Sequence, residues 1–212
     1  MLQEPTLTDP RLKSSELDGR RQRSERTKLL IIEAYLELLR KNPQTPTATQ
    51  IAEHAGCSVR SIFERFADLN ALNLATADYA VAVGQSEAVA RDVDGDRRTR
   101  IKSHVRTRAL ACEKWLPLWR VLVATQEKLA ELKTRVLLAR FGNIERLKLM
   151  YGPELSTLPA LEREQLLVAL GTLISFESWD QMRGCYNLSV EAAQGVWVSA
   201  IDRVLPPTPV AR

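Results

Sequence analysis

Arg60 and Arg65 are the side chains whose chemistry first points to a binding function. A guanidinium group donates paired hydrogen bonds to phosphate oxygens, or to the O6 and N7 atoms of guanine. Both arginines lie in the segment PTATQIAEHAGCSVRSIFERF, residues 46 to 66. The chemistry open to this segment is recognition of an anion or of a base edge. Whether it can be used depends on the elements that hold the two arginines.

The same segment carries signals for two short helices joined by a tight turn. Thr47 and Gln50 have the T-x-x-Q spacing of a capping box. Gly56 can adopt the left-handed conformation that ends a helix, and Ser58 can cap the helix that follows. Such a pair is typical of the helix-turn-helix, whose second helix lies in the major groove of DNA. An αα-hairpin without any role in DNA binding fits the helical pattern equally well.

Longer helices are predicted on both sides of this segment. One helix is expected from Ser24 to Pro43, because apolar residues recur on one helical face. These residues are Ile31, Ala34, Tyr35, Leu38 and Leu39. Asp68 is predicted to cap a further long helix. Residues 1 to 22 lack a sustained apolar period, so a mobile tail is predicted there.

Cationic side chains are concentrated just before the first strongly apolar run. They are Arg20, Arg21, Arg23, Arg26 and Lys28, with Glu25 the one acidic residue among them. Such a cluster is either an arm that contacts DNA or a solvated tail. The net charge of +4 over 212 residues permits a nucleic-acid partner without requiring one.

The remainder of the chain is predicted to be a second helical domain. The charged stretch RDVDGDRRTR follows Gly84, which favours a domain boundary there. The predicted domains are residues 23–84 and 85–205, followed by a tail over 206–212. Pro117 is expected to break or restart a helix. The predicted fold class is all-α, with a three-helix amino-terminal domain containing the helix-turn-helix and a helical carboxyl-terminal domain.

The sequence argues against an enzyme, a cofactor and a metal site. It contains 2 histidines and has no P-loop, dinucleotide-binding or H-E-x-x-H motif. Cys57, Cys112 and Cys185 show no C-x-x-C spacing, so all three are expected to be reduced. Cys57 is interpreted as a core residue rather than a redox sensor, since no neighbouring base is placed to lower its pKa.

A membrane location is not expected. No apolar run reaches the roughly 20 residues that a spanning helix needs, and the first residues lack the apolar region of a secretory signal. The sequence therefore predicts a cytoplasmic protein.

Three consecutive stretches together resemble the DNA-binding region of TetR-family transcriptional regulators. IIEAYLELL precedes TATQIAEHAGCSVRSIFERF, and ADLNAL follows it. The family typically shows T-x-x-x-I-A-x-x-A-G-V-S-x-G-x-L-Y-x-H-F at the central stretch. The matching positions are Thr47, Ile51, Ala52, Ala55, Gly56, Ser58, Ile62, Phe63 and Phe66. The resemblance spans about residues 26 to 79.

Several positions depart from the family pattern. Cys57 replaces an apolar Val, Arg60 stands where Gly is frequent, and Phe63 replaces a Tyr that commonly contacts phosphate. Arg65 replaces a His or Tyr, and Leu69 replaces a Lys that faces phosphate. Two phosphate contacts are thereby lost and two cations are gained. A shifted pattern of DNA contacts is expected, with DNA binding retained.

The resemblance implies a role for each residue of the central stretch. Thr47 and Thr49 are expected near phosphate and groove. The implied base-facing residues are Val59, Arg60 and Ser61, and the implied backbone-facing residues are Phe63 and Arg65. Arg60 is the candidate for direct readout of a base, with a phosphate contact as the alternative.

The resemblance also implies partners. They are a double-stranded DNA operator with inverted repeats, a second copy of the chain in a homodimer, and a small-molecule effector that releases a repressor from its operator. A different class of function stays open: a helical dimeric binding or scaffold protein without sequence-specific DNA binding. Gel-shift experiments distinguish the two.

An effector pocket is predicted around Pro117, where aromatic and aliphatic residues cluster. The candidate lining residues are Trp115, Leu116, Trp119, Leu122, Val123, Phe141 and Ile144. Few charges interleave with them, so an apolar or aromatic small molecule is favoured. The alternative is that these residues are ordinary core.

A dimer interface is predicted on the last two long helices, because apolar residues occupy more than one face of each. The candidate residues are Leu167, Leu170, Gly171, Ile174, Val196, Trp197 and Ile201. The alternative is that both faces are covered within one subunit.

Overall fold

The structure is a computed structural model that describes residues 10–42, 44–87 and 89–210, with the backbone alone for residues 10–20 and Lys128. Within these ranges every regular element is helical, as predicted. The α-helices are α1 (Pro10–Lys41), α2 (Ala48–Ala55), α3 (Val59–Phe63), α4 (Leu69–Glu87), α5 (Arg97–Thr125), α6 (Ala130–Met150), α7 (Gly152–Leu155), α8 (Ala160–Leu173), α9 (Phe176–Asp180) and α10 (Val190–Val204). A 3₁₀ turn, Gln126–Lys128, precedes α6, and a π turn, Gln181–Cys185, follows α9.

The chain divides into two compact units, Met1–Thr76 and Ala77–Arg212. The division comes earlier than the boundary predicted after Gly84. Helix α4 continues without a break to Glu87, so its later turns belong to the second unit. There Asp78 accepts a hydrogen bond of 2.7 Å from Arg135 Nε of α6. The charged connection marks the end of α4, not the edge of a domain.

Helix α1 is longer than the sequence predicts. It begins at Pro10 rather than near Ser24, so the prediction of a mobile tail is wrong over residues 10–22; residues 1–9 lie outside the described residues. A solvated helix needs no apolar face, and Arg, Lys, Glu and Leu all favour helix. A local ion pair of 3.1 Å between Lys28 and Glu25 adds to this preference.

The core of the first unit forms where α1, α2, α3 and the start of α4 meet. Its fully buried side chains include Ile31, Tyr35, Leu39, Ile51, Ile62 and Leu72. The Tyr35 hydroxyl donates a 2.5 Å hydrogen bond to Asn73 Oδ1, which satisfies both polar groups inside the core. Burial raises the pKa of Tyr35, so this hydroxyl keeps its proton. The inward face predicted for α1 is confirmed at Ile31, Ala34, Tyr35 and Leu39.

Helix α5 runs through Pro117, where a break was predicted. The helix extends over 29 residues from Arg97 to Thr125. Leu116, Leu118 and Trp119 beside the proline are all buried. Their packing maintains the helix despite the lost backbone hydrogen bond, which is a tertiary effect that local sequence does not carry.

A buried ion pair fixes the beginning of α5 to α7. Arg100 donates to both carboxylate oxygens of Glu154, at 2.6 and 2.8 Å, and to the carbonyl oxygen of Met150 at 2.6 Å. Thr208, in the predicted tail, also donates to Glu154. Burial alone raises the pKa of the Glu154 carboxyl, but the hydrogen bonds from Arg100 and Thr208 outweigh it and hold the pKa below its usual value.

We expect Glu154→Gln to destabilise the second unit strongly. The Arg100 charge would remain buried without its counterion, at a cost of roughly 3 to 5 kcal/mol in unfolding free energy. Because the pKa of Glu154 is lowered on folding, its contribution is complete above the ordinary value of 4.5 and is lost as pH falls through the folded-state value. Denaturant unfolding should therefore show that the difference in unfolding free energy between wild type and variant becomes smaller as the pH falls.

Glu145→Gln is the matched control for this prediction. Glu145 pairs with Lys148 at 2.6 Å, but both side chains are largely exposed. An exposed pair contributes at most about 1 kcal/mol. Equal losses for the two variants would contradict the structural role of the buried pair.

Candidate nucleic-acid interface

The two helices predicted at residues 46–66 are present as α2 and α3. The Thr47 hydroxyl accepts a hydrogen bond from Gln50 N, and Gln50 Oε1 accepts one of 2.9 Å from Thr47 N, so the capping box is formed. Gly56 has φ of +65° and ends α2 in the left-handed conformation. Ser58 Oγ then accepts from Ser61 N at 3.1 Å and starts α3. Each boundary of the turn is fixed by a local hydrogen bond.

The inward side of this pair is apolar and the outward side is polar. Ile51, Ala52 and Ile62 are buried, and the Cys57 side chain beside the turn is half-buried. Of the seven residues predicted to contact DNA, Thr47, Thr49, Arg60 and Phe63 are exposed, while Val59, Ser61 and Arg65 are half-buried. These seven residues lie on the outward side of α2 and α3 and just beside them. We call this surface the α3 face.

Arg60, on α3, and Arg65, in the turn that follows α3, differ in how they are held. The Arg60 side chain is 88% exposed, and its Nε donates to Glu64 Oε1 at 2.9 Å. That hydrogen bond raises the pKa of Arg60, which stays charged. Arg65 folds back onto α3, where its Nη1 donates to the carbonyl oxygen of Ser61 at 2.9 Å. Arg60 is therefore the more available of the two cations.

Two acidic residues near this surface were not predicted from the sequence. Glu64 lies four residues after Arg60, a spacing that predicts a helical ion pair, and its other carboxylate oxygen is 3.9 Å from Arg65 Nη1. Glu37 of α1 contacts His54 Nε2 of α2 at 2.6 Å. The first pair was readable from spacing alone. The second joins residues of separate helices and needed the fold.

The basic cluster before the first apolar run lies on α1. Arg21, Arg23 and Arg26 are therefore spaced along a helix and not along an extended arm. The side chain of Arg20 lies outside the described residues. Whether the cluster touches DNA stays a prediction.

The residues predicted to line an effector pocket do not form one cavity wall. Trp115, Leu116, Trp119 and Leu122 are buried, Val123 and Ile144 are half-buried, and Phe141 is 64% exposed. Trp119 stacks on Phe176 with ring centroids 4.7 Å apart. Phe141 does not lie on the face of α6 that packs inward, and whether it contacts a ligand stays a prediction. Trp115 alone of the seven lines a cleft of about 910 Å³ in the second unit.

Most of the residues predicted at a dimer interface are core residues of the second unit. Leu167, Leu170, Ile174, Trp197 and Ile201 are buried within it, and assigning them to a surface was wrong. A Cβ atom added at Gly171 would lie 2.7 Å from Ile144 Cδ1, so this glycine seats α8 against α6. Val196 remains exposed at 45%, and the other large exposed apolar side chains of α8 and α10 are Leu161, Val168 and Val204. Both helices carry two apolar faces, and most of the predicted interface residues lie on the inward one.

Two features are absent from the part of the chain that the structure describes. No three His, Cys, Asp or Glu side chains are grouped closely enough to hold a metal ion. In the same residues, no helix has both the length and the apolar content needed to cross a bilayer.

Solved structures place this architecture among the TetR-family transcriptional regulators. A protein assigned to that family from Rhodococcus sp. matches with a TM-score of 0.62 and 17% identity, over 84% of this chain and 98% of that one. One from Mesorhizobium loti MAFF303099 matches with a TM-score of 0.62 and 16% identity, over 87% and 99%. A transcriptional regulator from Pseudomonas aeruginosa PAO1 gives 0.58 and 17%, over 85% and 92%. At these identities the likeness establishes the fold.

Comparison of sequences alone does not detect a similarity to known proteins. No family sequence model matches the chain, and no curated protein matches it. The chain thus has the all-α fold of TetR-family regulators, as the sequence resemblance predicted.

We expect Gly56→Ala to destabilise the first unit. An L side chain at a φ of +65° is strained by about 1 kcal/mol or more even though open space surrounds the position. Gly142→Ala is the matched control, because Gly142 lies inside α6 with nothing within 4 Å. That change should stabilise by up to about 1 kcal/mol. Thermal unfolding followed by circular dichroism should give shifts of opposite sign, and shifts of the same sign would contradict the role of the turn.

Proposed function

We propose that the chain is a DNA-binding transcriptional regulator that uses α3 as its recognition helix. The observation that carries this proposal is the α3 face, where a capped turn presents Arg60, Phe63 and Thr49 outward beside a fully packed inward side. The fold shared with TetR-family regulators supports it. In this proposal the protein binds DNA and does not catalyse a reaction. It acts in the cytoplasm, where the DNA is.

Arg60 reads a base in this proposal. Its guanidinium is attached to α3 near the amino-terminal end, the part of a recognition helix that reaches base edges. Glu64 holds Nε in the free protein, which leaves the two terminal nitrogens to donate to guanine O6 and N7. The same carboxylate repels phosphate, so it weakens binding to DNA of any sequence. Thr47 and Thr49 contact the backbone at the start of α2, and Val59, Ser61 and Phe63 line the rest of the interface.

Arg60→Ala should reduce both affinity and sequence preference. DNA selected by the wild-type protein from a random library serves as the cognate site, and a scrambled duplex serves as the control. Fluorescence anisotropy should show a loss of roughly 1 to 3 kcal/mol on the cognate site and a smaller loss on the scrambled one. Glu64→Gln should strengthen binding to both. Equal losses for Arg60→Ala on the two duplexes would refute base reading and leave a phosphate contact.

The proposed regulator acts as a homodimer through the outward faces of α8 and α10. Leu161, Val168, Val196 and Val204 expose apolar surface there, and a second copy would cover it. A two-fold dimer places two recognition helices one turn of DNA apart, about 34 to 36 Å, so the operator is an inverted repeat. Trp197 is not the residue to change, because it is fully buried against Trp179.

Val168→Glu should convert the dimer to a monomer. A charge at the centre of an apolar interface stays unpaired when the interface closes. Leu110→Glu is a matched control, since Leu110 is 64% exposed and Val168 is 65% exposed, yet Leu110 lies on α5. Light scattering at micromolar concentration should give a monomer mass for the first variant and a dimer mass for the second. A monomeric wild-type protein would exclude the dimer.

The proposed regulator is a repressor released by a small molecule. Helix α4 starts in the first unit and ends in the second, so it is the covalent path by which ligand binding can affect α3. A ligand shifts DNA affinity only through its differential affinity for the two states of the protein. A dimeric binding or scaffold protein is the alternative, and the Arg60–Glu64 pair favours it because Arg60 already has a partner. The anisotropy experiment separates the two.

A further inference from the structure

The cleft of about 910 Å³ in the second unit has the features of a ligand site. One stripe of α5 forms its long wall, with residues at helical spacing from Thr99 to Lys114. At a rise of 1.5 Å per residue this wall is roughly 20 Å long. The last turns of α4 and the segment after it lie on the other side, at Gly84, Glu87 and Val89.

The wall changes character along its length. Lys102, Ser103 and Arg106 make the end nearer the start of α5 polar and cationic. Leu110 and Trp115 make the other end apolar. Leu110 is 64% exposed in the free protein, and Val89 across the cleft is 57% exposed. Two large apolar side chains that line one cleft and are both exposed to water are unfavourable, and a ligand that covers them would remove this cost.

The charges of the cleft are unevenly paired. Lys114 donates to Glu87 at 2.5 Å, and Glu113 accepts from Arg183 and from the Trp179 indole at 3.0 and 2.7 Å. Those two carboxylates are therefore occupied.

Lys102 and Arg106 differ from those pairs. Neither has an acidic partner among the described residues, although the carboxylate of Asp92 also lines the cleft. These two cations lie one helical turn apart on α5, close enough for both to contact one anion.

We propose that this cleft binds an amphipathic organic carboxylate. The carboxylate accepts hydrogen bonds from Lys102 and Arg106, and the apolar body lies on Leu110 and Trp115 under Val89. A charge-assisted hydrogen bond at one end and apolar burial at the other make both parts of the ligand necessary. This differs from the apolar or aromatic effector that the sequence alone favoured, because the cationic end of the cleft is formed by α5 residues outside the aromatic cluster.

Ligand binding in this cleft has a route to α4. The Glu87–Lys114 pair joins the last turn of α4 to α5 beside the apolar end, where the Lys114 ammonium also lies 4.9 Å from the Trp115 ring centroid. A ligand body on Trp115 displaces this contact and changes how the end of α4 is held. This regulatory step rests on the proposed function, whereas binding in the cleft does not.

Isothermal titration calorimetry of the full-length protein tests the binding step. The probes are 4-phenylbutyrate and its neutral amide, 4-phenylbutyramide, which differ in the charged group alone. The carboxylate should bind more tightly than the amide, and Arg106→Gln and Lys102→Gln should each weaken it by about five- to tenfold. Neither variant should change the affinity for the amide. Arg98→Gln, an exposed arginine of α5 outside the cleft, is the matched control and should bind as wild type does.

Three results would overturn the proposal. They are no measurable binding of 4-phenylbutyrate at millimolar concentration, equal affinity for carboxylate and amide, and equal effects of Arg106→Gln and Arg98→Gln. Thermal unfolding of each variant verifies that it is folded. Anisotropy with the selected DNA then measures the regulatory step. A carboxylate that binds the cleft but leaves DNA affinity unchanged overturns that step alone. A protein that binds no DNA overturns the proposed function, whereas the calorimetry still tests whether the cleft binds the carboxylate.

Discussion

A helix of five residues cannot hold itself together in water, and everything proposed for α3 depends on how that limit is overcome. Isolated helices below about 12 residues are marginal because nucleation costs more than a few hydrogen bonds return. Helix α2 has 8 residues and α3 has 5. The Thr47–Gln50 box, the left-handed Gly56 and the Ser58 cap satisfy the free backbone groups, and burial of Ile51 and Ile62 fixes the pair on α1. The position of Arg60 therefore depends on these caps and buried contacts.

The features predictable from sequence are those set by near neighbours in the chain. Caps, the turn glycine and the inward face of α1 involve residues a few positions apart, and each was present as expected. The features that could not be predicted concern tertiary packing. Pro117 stays inside α5 because buried neighbours hold the helix, and Phe141 is exposed because α6 turns it away from the core. Neither outcome could be read from spacing alone.

The two faces of α8 and α10 show the same limit more sharply. The sequence indicated that both faces are apolar, which the structure bears out, yet pattern alone does not say which face packs inside the subunit. Trp197 and Leu170 are core, whereas Val168 and Val196 are exposed. The packing of α8 and α10 within the second unit decides this, and it becomes visible only once the helices are placed together.

The second unit uses the basic residues of α5 in two opposite ways. Arg100 is buried, paired with Glu154 and satisfied, so it stabilises the fold but is not available for binding. Lys102 and Arg106, a few residues further along, face a cleft without acidic partners among the described residues. Base recognition by Arg60 is the step on which the proposed function depends. Its most direct test is methylation interference on the selected DNA: methylation of guanine N7 at one position in each half-site should block binding of the wild-type protein and not of Arg60→Ala. Interference confined to phosphate modification, with no guanine in the major groove affected, would contradict the account.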